Sequence, residues 1–130
     1  MRGLWTAGAI GVIGAAALLG GCVSTPNLAG SFGAPSFAAL QQVCSATPVD
    51  YGNDAQSVYT TFYDAYVANR RGKLSKDDYC AFQTAIAQHY TTLGTNSDPQ
   101  ARNQWVAFFL DQRAKAISWR AAVDPTLRAG

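Results

Sequence analysis

Few side chains in this sequence can do acid–base, metal or nucleophilic chemistry. There is a single histidine, His89, and all eight acidic residues are aspartates. His89 offers a general base or an axial ligand. Its register, one residue before Tyr90 and close to Phe82 and Ile86, also suits a hydrogen-bonded packing role on a helix. Asp77 and Asp78 are adjacent, as in an acid–base or metal pair, but they fall in the first turn of a helix, where carboxylates favour the positive end of the dipole. Arg70, Arg71, Lys73 and Lys76 form the densest basic cluster. Arg70, Arg71 and Lys73 are the candidate anion or lipid-headgroup contact; the competing reading is that the two arginines complement a helix C-terminus. The evenly spaced Gly8, Gly11 and Gly14 follow no strand and form no phosphate loop, and no zinc, EF-hand, haem-attachment or nucleophile-elbow pattern occurs. No catalytic, cofactor-binding or metal-ligating residue is expected, and the chain reads as a non-enzyme.

Aromatic residues are plentiful where titratable ones are scarce: six tyrosines, six phenylalanines and three tryptophans. Tyr59, Phe62, Tyr63 and Tyr66 cover more than one face of a helix. Trp105, Val106, Phe108, Phe109 and Leu110 make an almost continuous apolar run on another. A stripe about 100° wide is enough to pack a helix on one side. The surplus marks Tyr59, Tyr63, Tyr66, Trp105, Phe108, Phe109 and Trp119 as a candidate partner interface, because Tyr and Trp are typical anchors of interfaces. Plain core packing is the competing assignment.

The elements that carry these residues are helical. Ser36 is placed to cap a short helix with Phe37, Leu40, Val43 and Cys44 on one face, ending before Pro48. A second helix runs from about Asp54 to Arg71 on the spacing of Ala55, Val58, Tyr59, Phe62, Ala65 and Tyr66, and Gly72 closes it. The third begins with Ser75 and Asp78 in a capping-box arrangement, with Leu74 and Tyr79 as a hydrophobic staple. Its stripe is Tyr79, Phe82, Ile86, Tyr90 and Leu93, stopped by Gly94. Asp98 and Pro99 open the fourth, which extends to about Val123 before Asp124-Pro125. No stretch sustains strand alternation. The expected fold is all-α, a small bundle of three longer helices and one short N-terminal one over residues 36–130.

The first 21 residues differ from the rest. Arg2 is followed by an uncharged, largely apolar run to Gly21, the layout of an export signal. Its end, Leu19-Gly20-Gly21-Cys22, resembles the lipobox of bacterial lipoproteins. That resemblance implies removal of residues 1–21, lipidation of Cys22 on sulfur, and a mature chain anchored by lipid and facing the periplasm. Val23 stands where such lipoproteins carry an aspartate as an inner-membrane retention cue, which favours the outer membrane over the periplasmic face of the inner one. Residues 22–35, rich in Gly, Ser and Pro, make a flexible tether. Once Cys22 is assigned to lipid, Cys44 and Cys80 remain. An even pair in an oxidising compartment reads as a disulfide worth about 4 kcal/mol.

Net charge of +2, with only 14% charged residues, leaves no electrostatic footprint for nucleic acid. The expected function is that of a non-catalytic, lipid-anchored accessory subunit, holding a larger protein on the periplasmic side of a membrane. In size, export and helical content the chain is similar to the small third subunit of the membrane-bound quinohaemoprotein alcohol dehydrogenases. That similarity implies that pyrroloquinoline quinone and haem belong to the partner subunits, since this chain has no Cys-x-x-Cys-His. The alternative is a free-standing periplasmic binding or inhibitor lipoprotein, for example against a cell-wall hydrolase.

Overall fold

The structure is a computed structural model that describes residues 34–124. The export signal, the lipobox Cys22 and all of the tether before Ala34 lie outside the described residues. Four helices follow in order: α1 (Phe37–Gln42), α2 (Ala55–Arg70), α3 (Lys76–His89) and α4 (Pro99–Val123). No strand occurs among the described residues, so the all-α reading holds. A short tight turn, Gly52–Asp54, leads into α2.

Each helix starts and stops for a local reason. Ser36 Oγ accepts the Ala39 N–H at the head of α1, and Ser75 Oγ accepts the Asp78 N–H at the head of α3. Asp98 Oδ1 accepts the Gln100 N–H at the head of α4, with Pro99 in the first turn. At the end of α2, Gly72 takes φ +85°, its N–H donates to Asn69 O, and the Lys73 N–H reaches Ala68 O at 2.9 Å. That 6→1 and 5→2 pair is a Schellman closure, and it needs a residue without a Cβ penalty at the left-handed position. The helical path of α3 continues through Tyr90–Gly94 as one wider turn, in which Thr95 N–H donates to Tyr90 O, five residues back.

The core is aromatic. Phe37, Tyr51 and Phe62 are in mutual ring contact, and the chain of rings continues from Tyr51 to Tyr90, from Tyr90 to Trp105, and from Trp105 to Phe109. Leu40, Val58, Ala65, Ile86 and Ala116 fill the space around them. Leu74 and Tyr79, the expected staple, are both buried. The α4 helix packs chiefly on α2.

The short α1 is held by two kinds of link. Cys44, just past its end, is disulfide-bonded to Cys80 on α3 with 5.4 Å between Cα atoms. The carbonyl of Leu40 accepts the Gln83 side-chain amide at 3.0 Å and the Tyr79 hydroxyl at 3.4 Å, so the buried end of a six-residue helix keeps no orphan acceptor there. Burial raises the Tyr79 hydroxyl's pKa, opposed by the Gln83 hydrogen bond and supported by neighbouring Tyr66.

Candidate functional site

Helical register divides the aromatic residues between core and surface differently from the sequence expectation. Trp105 is 1% exposed and Phe109 9% exposed. Both therefore belong to the core, not to a partner interface, a correction with a simple cause. Positions 101, 105, 109, 112 and 116 recur at three and four and make the inward face of α4. Trp105 also donates its indole N–H to Asp54 Oδ2 at 3.1 Å, joining α4 to the start of α2. Phe108 is half-buried and stacks on the His89 ring at 3.6 Å between centroids; Trp119, also half-buried, meets Phe82 edge-on at 5.1 Å.

Tyr59, Tyr63 and Tyr66 fall at spacings of four and three and lie together along one side of α2, half-buried against the core. Their rings follow one another at 6.5 and 6.4 Å. The Arg120 guanidinium sits over Tyr63 and that of Arg70 over Tyr66. The Tyr59 hydroxyl donates to Pro35 O at 2.8 Å, tying the start of the described chain to α2. Burial is also the main cause that raises the Tyr59 pKa, with Tyr63 adding to it.

Of the apolar run on α4, Val106 and Leu110 face water, and Ile117 joins them on the same side of the helix. Val106 is 47% exposed, Leu110 61% and Ile117 44%, and they are the large apolar side chains left exposed among the described residues. Their spacings of four and seven put them in one row. Alanines 107, 114 and 121 flank the row on one side, and Arg113, at the same helical phase between Leu110 and Ile117, interrupts it on its way to Asp64. Helical-wheel phase, applied to α4 alone, is the signal that separates this row from Trp105 and Phe109.

The basic cluster does not converge. Arg70 is engaged with Tyr66, and Arg71 Nη1 donates to the Val123 carbonyl at 3.1 Å, closing the end of α4 onto the α2–α3 turn. Lys73 instead lines a groove between α3 and α4, together with Lys115, Phe82 and Trp119.

The titratable residues considered for chemistry sit in structural roles at helix turns and ends. His89 Nδ1 donates to Ala85 O at 2.9 Å, an i−4 bond along α3 that fixes the ring against Phe108. The shallow depression beside it is lined by Gln88, His89, Thr92 and Leu93. Asp50 Oδ1 accepts the Gly52 N–H at 2.9 Å, and Asp77 and Asp78 are exposed in the first turn of α3. No group of three or more His, Cys or Asp residues able to hold a metal occurs among the described residues. No described helix is long and apolar enough to cross a membrane.

Comparison with known proteins returns no matching family model, no matching curated protein and no matching solved structure.

Proposed function

We propose that this chain is a non-catalytic accessory subunit, anchored by lipid on Cys22, that holds a larger protein on the periplasmic side of a membrane. The observation that carries this reading is the exposed row Val106, Leu110 and Ile117 on α4. A helix that already buries one apolar face in its own core, and presents a second to water, has the pattern of a docking surface. The half-buried Tyr59, Tyr63 and Tyr66 supply a second, amphipathic surface of the kind enriched at interfaces.

The anchor rests on Leu19-Gly20-Gly21-Cys22 after an apolar run. The tether that follows lets the helical domain stand off the membrane, at the outer membrane if Val23 is read as the lack of a retention signal. The membrane-bound quinohaemoprotein alcohol dehydrogenases, whose small third subunit the chain resembles in size, export and helical content, are the partner class to test first. In such an assembly the quinone and haem sit in the other subunits.

Replacing Leu110 and Ile117 together by Asp tests the reading. Both are exposed, so helical circular dichroism should be retained, while co-purification of the larger subunit from native membranes should be lost. Undiminished co-purification would remove the α4 face from the account.

A further inference from the structure

We propose that the groove between α3 and α4 binds a small amphiphilic acid, with Lys73 and Lys115 facing its anionic head and Phe82 and Trp119 receiving its apolar body. The groove exists because α4 lies mainly on α2 and touches α3 less. Ala81 and Ala85, small residues four apart on α3, keep that wall low. Its volume of about 530 Å³ falls within the range of about 300–1,000 Å³ typical of small-molecule sites. The floor is aromatic: half-buried Trp119 lines the groove and meets the largely buried Phe82 edge-on.

The charge at the rim gives the ligand its sign. Lys73 comes from the α2–α3 turn and Lys115 from the middle of α4, 42 positions away, and only the fold brings them to one groove. Neither forms an ion pair among the described residues, whereas Arg113 and Arg120 are both paired with Asp64. Asp78 is the one carboxylate in the lining, so two ammonium groups leave a net positive rim. One excess positive charge beside an apolar floor suits a singly charged head on an apolar chain. A polyphosphate, all charge and little apolar surface, would leave Phe82 and Trp119 unused. This site is independent of the accessory-subunit reading and uses none of the residues of the α4 outer row.

The test follows the indole N–H resonance of Trp119 by NMR in the full chain held in phosphatidylcholine nanodiscs, titrated with octanoate and, separately, with octylammonium of the same chain length. Octanoate should shift Trp119 saturably and leave the core Trp105 unmoved, and octylammonium should not. Lys73→Gln combined with Lys115→Gln, both exposed positions, should weaken octanoate at least tenfold with unchanged helicity. Equal response to octylammonium, or undiminished binding by the double variant, would overturn the proposal. Competition by inorganic phosphate as strong as by octanoate would reduce the site to a plain anion contact. A Trp119 shift caused by phosphatidylglycerol nanodiscs without added acid would assign the groove to membrane lipid. Either result overturns the free-acid assignment.

Discussion

Asp64 on α2 meets Arg113 on α4 at 2.7 Å, and the same carboxylate takes Arg120 at 2.7 Å through its other oxygen. The Asp64 side chain is only 11% exposed, and Arg120 also lies 3.6 Å from Asp124. One carboxylate therefore sets the register between the two helices that carry most of the domain's packing. Both arginines keep some contact with water, which places the pair between a buried bridge and a surface one. Asp64→Ala should cost about 2 kcal/mol, because it leaves two cations facing each other half-buried. A chemical denaturation midpoint measures it, and a change below about 0.5 kcal/mol, typical of an ordinary surface site, would show that the bridge sets geometry without stabilising it.

Reduction of Cys44–Cys80 should lower stability by about 4 kcal/mol in the chain-entropy account, given a sequence separation of 36. The disulfide pins the end of a six-residue helix whose own packing rests on Phe37 and Leu40. Denaturant melts with and without reductant give the difference. An equal midpoint in both would mean that α1 is held by Phe37, Leu40 and the Leu40 carbonyl bonds alone.

Gly94 admits no side chain. A Cβ there would lie 2.5 Å from Tyr90 Cδ1, and the Tyr90 ring is fixed between Tyr51 and Trp105. The carbonyl of Gly94 also accepts the Arg102 guanidinium, so the wide turn cannot move freely. Gly94→Ala should cost about 1–3 kcal/mol, the range for overpacking a filled core. A thermal melt indistinguishable from that of the parent chain would contradict this geometry.

Alkaline pH should unfold the domain. Burial raises the pKa of Tyr51 and Tyr79, with Tyr90 adding to the effect at Tyr51. A tyrosine whose folded pKa exceeds its unfolded value of about 10 contributes stability that is fully present below pH ~10 and is lost as pH rises through the folded value. Phenolate absorbance should therefore appear for these two rings only together with loss of helical circular dichroism. Free titration of all six tyrosines in a chain that stays helical would refute their burial.

Export and anchoring make a separate prediction. Cys22→Ala should release the chain from membranes, and the mature native chain should carry its lipid mass at Cys22. Persistent membrane association of the exported variant would remove the lipid anchor from the account.

Much of this fold is legible in the sequence because its signals are local. Ser36, Ser75, Asp98-Pro99 and Gly72 act within one helical turn of themselves, and each cap forms as its spacing implies. The Cys44–Cys80 link is legible from parity, since these two cysteines remain once Cys22 is set aside as the expected lipid site. The direction each α4 residue faces is carried by helical phase along α4, and it is lost when the apolar run is taken as one block. Trp105 and Val106 are neighbours in sequence, yet one is in the core and the other in water, and an apolar run read as a block merges them. The Asp64 bridge to two arginines and the meeting of Lys73 with Lys115 join residues more than 40 positions apart. Nothing in their immediate neighbours announces those pairings.

Site-specific photo-cross-linking from position Leu110, in the native host, tests the central claim most directly. A photoreactive residue there should join the chain to one larger membrane-associated subunit, while the same group at the exposed Thr84 on α3 should not. Membrane-anchored chain that gives no cross-link from Leu110, or the same products from both positions, would contradict the docking role of α4.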